Sequence, residues 1–181
     1  ETLNDPVAEQ AVRMRGLIDR ELRRARLAGE GSPGRRFRPQ EDIADLIAGI
    51  RTLYKDRSLE IHTVIDTPER LPFDEEDMLE LLGNLMDNAA KWARRRVHLS
   101  LRWRERLQIV VEDDGPGIEA DAAEVLSARG SRLDESIPGH GLGLSIVQEI
   151  VRVHGGHLRF GRSEKLGGFA STIDLPGARN P

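Results

Sequence analysis

Residues 74–93 limit the possible folds more than any other stretch of the chain. Met78, Leu81, Leu82, Leu85, Ala89 and Ala93 recur at three- and four-residue steps, which gathers them on one side of a helix. Glu80, Asn84, Asn88 and Lys91 fall within an arc of about 80° on the other side, with Trp92 at the border. A helix divided in this way must bury one face against a neighbour. The next residues supply one. Val97, Leu99, Leu101 and Trp103 alternate, as do Leu107, Ile109 and Val111, and the charged turn at Arg104 to Arg106 joins the two runs as an antiparallel hairpin.

The same alternation of elements continues on both sides. Ile43, Leu46, Ile47, Ile50 and Leu53 have helical spacing, and Leu59, Ile61, Thr63 and Ile65 alternate as a strand. Residues 119–138 are polar without a period. A helix is predicted over about residues 143–154, stopped by Gly155 and Gly156, with His154 capping it. Strands at about 157–162 and 168–175 follow, joined by a glycine-containing loop. Hairpin strands with helices able to cover one face predict a two-layer α/β sandwich.

Residues 1–29 differ in character. Asp5 and Pro6 give a helix start, and Val7, Ala11, Met14, Ile18, Leu22 and Ala25 form a narrow apolar seam opposite Arg13, Arg20, Arg23 and Arg24. That seam suits a helix in a bundle or a dimer; a surface helix lying on its own domain is the alternative. Residues 30–35, with Gly31, Ser32, Pro33 and Gly34, read as a linker. The main domain is then expected over residues 36–178.

Composition excludes several functions. The 27 basic and 31 acidic residues give a net charge of −4, without the basic excess of a nucleic-acid binder. The chain has no cysteine, so disulfides, thiolate zinc sites and cysteine nucleophiles are ruled out. No apolar run approaches the ~18 residues that span a bilayer. The chain opens at Glu1 rather than at a methionine, and is expected to be a piece of a longer protein.

Three motifs carry chemistry. In Asn84-x₃-Asn88-x₂-Lys91 one helix face presents two amide oxygens and an ammonium. Amide oxygens are hard neutral ligands suited to Mg²⁺ that already carries phosphate oxygens, and the lysine is a point charge for phosphate. Alone, the same residues could be an ordinary polar helix face. Asp113-Asp114-Gly115-Pro116-Gly117-Ile118 closes a strand, where a carboxylate leaving a sheet edge can accept from an exocyclic amine and glycines admit a flat ring. Alone it could be a turn. Gly139-His140-Gly141-Leu142-Gly143-Leu144 opens a helix whose free amides attract phosphate. It fits neither the P-loop nor the dinucleotide fingerprint, and protein-kinase signatures are absent.

In this order and spacing the motifs resemble the N, G1 and G2 boxes of the ATP-binding catalytic domain of bacterial sensor histidine kinases, within the superfamily shared with gyrase, Hsp90 and MutL. The resemblance covers about residues 36–176, and residues 1–29 resemble the second helix of the adjoining dimerisation domain. It implies an α/β sandwich with a mixed five-stranded sheet and three main helices. It makes Asn88 the principal Mg²⁺ ligand with Asn84 assisting, sets Lys91 on phosphate and places Trp92 beside the adenine. Asp113 would accept the adenine amine, Gly115, Gly117 and Ile118 would shape the purine pocket, and Gly139, His140, Gly141, Leu142, Gly143 and Leu144 would serve the phosphates.

Two departures bear on mechanism. Hydrolysing relatives place a glutamate where this chain has Asn84, and an amide cannot take a proton from water. The phenylalanine-containing lid box is missing. Instead Gly130-Ser131-Arg132-Leu133-Asp134 resembles the lid of PhoQ-type kinases, which places Arg132 near the γ-phosphate and predicts a lid over residues 119–138 that orders on nucleotide.

The resemblance therefore implies a protein-histidine kinase domain using ATP and Mg²⁺. The acceptor histidine is expected upstream of Glu1, on the protein's own dimerisation domain. A response-regulator receiver would be the next partner, and the full-length protein a homodimer anchored in the bacterial inner membrane with this domain in the cytoplasm. An ATPase switch of the gyrase or Hsp90 kind and a non-enzymatic nucleotide-binding docking module are the alternatives.

Overall fold

The computed structural model describes residues 35–118 and 142–177. The chain divides after Gly34, and the described residues belong to the second unit, Arg35–Pro181. The helix expected over residues 1–29, the linker as far as Gly34 and the lid stretch 119–138 lie outside the described residues.

The described elements are α1 (Pro39–Leu53), a 3-10 turn (Lys55–Arg57), β1 (Glu60–Asp66), α2 (Glu75–Trp92), β2 (Arg96–Trp103), β3 (Arg106–Asp113), α3 (Leu142–Val153), β4 (His157–Arg162) and β5 (Phe169–Pro176). The strands form one mixed sheet in the order β1-β2-β3-β5-β4. β1 runs parallel to β2, with Ile61 beside Val97, and every other pairing is antiparallel. A parallel neighbour needs a crossover, and α2 is that crossover.

Local chemistry sets the helix ends. Asp74 caps α2, its carboxylate accepting from the amides of Glu76 and Asp77 at 2.9 and 3.2 Å. Glu75, Glu76 and Asp77 then complement the positive end of the helix, and Lys91 its negative end. Pro39 opens α1, where the Asp42 carboxylate accepts from the Arg38 amide at 2.6 Å. The end of α3 turns at Gly155, whose φ of +64° is costly for a side-chain-bearing residue.

All six apolar residues expected on the inner face of α2 are buried, as are Met86 and Ala90, so the buried stripe is wider than the pattern alone implied. They meet Val97, Leu99, Leu101, Leu107, Ile109, Val111, Ile173 and Leu175 from one face of the sheet. α2 packs against β3, and also against α1 and α3. The helices thus cover one face of the sheet, and the α/β sandwich is as expected.

Two details differ from expectation. Leu53 ends α1 with 68% of its surface exposed, and the buried face of the helix stops at Ile50. His154 stands at the end of α3 but turns its ring to α2, where Nε2 lies 2.9 Å from a carboxylate oxygen of Asp77 and the ring meets Phe73 edge-on.

Candidate nucleotide-binding site

α2 delivers the first motif to the surface. Asn84 and Asn88 are half-buried one turn apart, Lys91 is exposed, and Trp92 ends the helix at 43% exposure. The Asn84 side-chain amide donates to the carbonyl of Glu80 at 2.7 Å. That bond orients the amide, and its oxygen is the end that can act as a ligand. The Lys91 ammonium lies 5.5 Å from the centre of the Trp92 ring, a cation–π contact that holds both side chains at the same helix end.

The second motif begins where β3 stops. Asp113 is its last residue, and β3 is the middle strand of five, so this carboxylate leaves the centre of the sheet and not an edge as the sequence suggested. The central position explains its burial, at 1% exposure. One oxygen, Oδ1, accepts from the amides of Gly115 at 2.8 Å and Phe169 at 3.2 Å. The other, Oδ2, is buried with no hydrogen-bond partner among the described residues. Burial pushes the carboxyl above the usual carboxylate range; the two amides pull it down and Asp114 pushes it up again.

Asp114 has the opposite character. Its burial raises the pKa, but the amides of Arg95, Arg96 and Arg94 together outweigh that and bring it below the ordinary value. All three donate to Oδ1 at 2.9 Å. Asp114 therefore pins the corner between α2 and β2, and Asp113 is the carboxylate with an oxygen to offer.

Glycines mark where the motifs touch. A Cβ on Gly115 would lie 2.5 Å from the carbonyl oxygen of Trp92, and one on Gly143 would lie 2.8 Å from Oδ1 of Asn84. The second motif thus rests on the end of α2, and the first turn of α3 rests on its middle. Gly117 sits at φ +74° with its Cβ position 3.2 Å from the carbonyl of Gly168. Ile118 packs against the core and Leu144 is buried in it. Gly139, His140, Gly141 and Arg132 lie outside the described residues, as does the side chain of Leu142.

Several site residues escape a sequence reading. A Cβ on Gly168 would collide with the carbonyl and Oδ1 of Asp113 and with the Gly115 amide, so the β4–β5 loop packs directly on the second motif. The only signal was the Gly167-Gly168 pair, read as an ordinary loop. Arg57 donates to the carbonyls of Ala90 at 3.0 Å, Ala93 at 2.7 Å and Lys91. A cation on these last carbonyls is well placed against the helix dipole. Tyr54 donates to Asp87 at 2.8 Å, and burial followed by that carboxylate pushes its hydroxyl up to about 12. Nothing in the sequence foretells these contacts, which span more than thirty residues.

The residues present fit a magnesium nucleotide. A buried carboxylate oxygen without a partner suits one exocyclic amine. An amide oxygen facing a glycine in the first turn of a helix, with a second asparagine one turn on, suits a hard cation beside phosphate. Among the described residues no cluster of three histidine or carboxylate side chains could hold a metal by itself.

A family model described as histidine kinase-, DNA gyrase B- and HSP90-like ATPase matches residues 73–179. The chain belongs to this family. The matched span contains all three motif stretches. The sensor protein kinase CarS of Pseudomonas aeruginosa is 40% identical over 175 residues, covering 96% of this chain and 39% of CarS. The sensor protein PhoQ of Escherichia coli K12 is 35% identical over 162 residues, covering 88% of this chain and 33% of PhoQ. The chain therefore spans between about a third and two fifths of the length of these relatives. The mycobacterial sensor histidine kinase MprB has a solved structure that matches with a TM-score of 0.65 and 30% identity, over 81% of this chain and 99% of that one. Within the family, this is an ATP-binding catalytic domain of the sensor-histidine-kinase kind. No helix among the described residues is long and apolar enough to cross a membrane.

Proposed function

We propose that this domain binds Mg²⁺–ATP and presents the γ-phosphate to a histidine on the dimerisation domain of its own protein, for relay to a response-regulator receiver. The reading rests on one observation above the rest: Asp113 keeps one carboxylate oxygen on backbone amides and the other buried with no partner among the described residues. That is an acceptor waiting for a donor, and adenine supplies one in its amine.

In this reading Asp113 fixes the base, with Gly115, Gly117 and Ile118 around it and Trp92 beside it. Lys91 meets phosphate, joined by the glycine loop and Arg132. Asn88, assisted by Asn84, would hold Mg²⁺, which when bound offsets the charge of the phosphate oxygens. The imidazole nitrogen attacks the γ-phosphorus as its bond to the β-phosphate bridging oxygen breaks. ADP leaves and the imidazole proton passes to solvent. Positioning and electrostatics carry the step.

Asn84 weighs against hydrolysis as the main outcome. Its amide donates to the Glu80 carbonyl and has no basic lone pair to take a proton from water. None of the described histidines is placed as an acceptor. His62 and His98 lie in β1 and β2, His157 opens β4, and His154 is paired with Asp77. The whole protein is proposed to be a membrane-anchored homodimer with this domain in the cytoplasm.

The test is incubation with γ-labelled ATP, alone and with a histidine-bearing dimerisation domain from the same protein. Label should appear only on the added domain, slowly because tethering is lost, and should be acid-labile. Steady phosphate release with no transfer would favour the ATPase-switch reading. ATP binding with neither outcome would leave a docking module.

A further inference from the structure

The mechanism leaves one buried charged residue without a task. Glu112 precedes Asp113 on β3 and is 7% exposed, although its side chain points to the face of the sheet that the helices do not cover. One carboxylate oxygen accepts from the Ser163 hydroxyl at 2.9 Å, and the other lies 3.2 Å from Nδ1 of His98 and 3.9 Å from the Lys165 ammonium. Ser163 is itself buried, at 3% exposure.

Ser163 is tied in four ways. Its hydroxyl donates to Glu112 and accepts from the Leu166 amide at 2.9 Å. Its own amide donates to the Gly168 carbonyl at 2.8 Å, and its carbonyl accepts from the Gly167 amide at 2.9 Å. Residues 163–168 are thereby closed into a tight loop and anchored to β3. Gly168 then donates to the Asp113 carbonyl at 3.1 Å, and Phe169 donates to Asp113 Oδ1.

The number of free oxygens on Asp113 decides which base it suits. A carboxylate with both oxygens free matches the paired donors of guanine, its ring N–H and 2-amino group. With one oxygen occupied by backbone amides it offers a single acceptor, which matches the single amine on adenine's corresponding edge. We infer that Ser163, anchored by Glu112, is a positioning residue that keeps the Phe169 amide on Oδ1 of Asp113, filling the acceptor site that Gly115 leaves on that oxygen, and so sharpens the preference for adenine over guanine. The inference rests on the proposed nucleotide reading of the site.

Calorimetric titration of the domain with Mg²⁺–ATP and Mg²⁺–GTP tests it, with thermal melts recorded beside each titration. The unsubstituted domain should prefer ATP. Ser163→Ala and Glu112→Ala should each reduce the ATP-to-GTP affinity ratio by about three- to tenfold, less than the full loss of a hydrogen bond to a charged acceptor because the Gly115 amide stays on Oδ1. Glu112→Gln keeps an oxygen for the Ser163 hydroxyl and should keep the ratio, even where its melting temperature falls. If Ser163→Ala does not fold, Ser163→Cys keeps the volume with a weaker donor and should show the reduced ratio.

A role in stability alone would lower melting temperatures and weaken both nucleotides equally. An unchanged ratio in folded Ser163→Ala or Ser163→Cys overturns the inference and leaves the nucleotide reading standing. An unsubstituted domain with no preference between the two nucleotides overturns both.

Discussion

Replacing Asp113 by Asn separates what the carboxylate offers a ligand from what it costs the empty domain. Burial raises its pKa in the folded state. A carboxyl of that kind contributes most to stability below its unfolded pKa, and the contribution is lost as pH rises through the folded value. At neutral pH the ionised group therefore opposes folding. Asn has the same shape without the charge, and its oxygen can still accept from Gly115 and Phe169. The nucleotide-free variant should melt higher than the unsubstituted domain at neutral pH, and the difference should narrow as acid protonates Asp113. Binding should move the other way. A hydrogen bond to a charged acceptor is worth about 1.5–3 kcal/mol, so ATP affinity should fall about 10- to 150-fold, and further where the Asn amide faces the adenine amine. In the unsubstituted domain, ATP affinity should decline with acidification from above the ordinary carboxylate range. Paired melts and titrations across pH are the assay. Undiminished ATP affinity in the variant, or a lower melting point for the empty form at neutral pH, would refute the argument.

Asn88→Ala should remove the Mg²⁺ dependence of nucleotide binding and stop transfer, as titrations with and without Mg²⁺ would show; Mg²⁺-stimulated transfer at the unmutated rate would exclude it as the ligand. Gly168→Ala forces a Cβ onto Asp113, and should cost about 1–3 kcal/mol of stability in denaturant melts together with ATP binding. Arg57→Ala strips three carbonyls of their partner at the end of α2 and should cost about 1–3 kcal/mol. Acrylamide should then quench Trp92 more readily, measured with Trp103 replaced by Phe so that one indole reports.

The sequence made the framework readable because its elements are amphipathic over long spans. Six apolar residues of α2 and the two runs of the hairpin each define a buried face, and Asp74 and the glycines after α3 mark ends by local chemistry. The candidate site was readable where its motif residues share one element. It was not readable where the contact joins elements far apart in the chain. Arg57 gives no hint that it will hold carbonyls 33 to 36 residues ahead. Ser163 reads as a polar residue at a strand end until β5 pairs with β3 and brings its loop over Asp113. Strand order was the missing information, because a two-residue hairpin turn reveals its partner and a strand inserted between two others does not.

That insertion has a chemical consequence for the pocket. β5 lies between β3 and β4, so the loop entering β5 arrives beside the end of β3. An aspartate at the end of an edge strand would stay hydrated on one side, and water could satisfy both of its oxygens. At the end of a central strand, Asp113 has the Gly115 turn on one side and the Phe169 amide on the other. Its hydrogen bonding is thereby completed on one oxygen, while the other has no partner among the described residues. An unpaired buried oxygen costs the empty protein free energy that a correctly placed amine relieves. The selectivity proposed for the pocket is in this sense a property of sheet topology as much as of the aspartate itself.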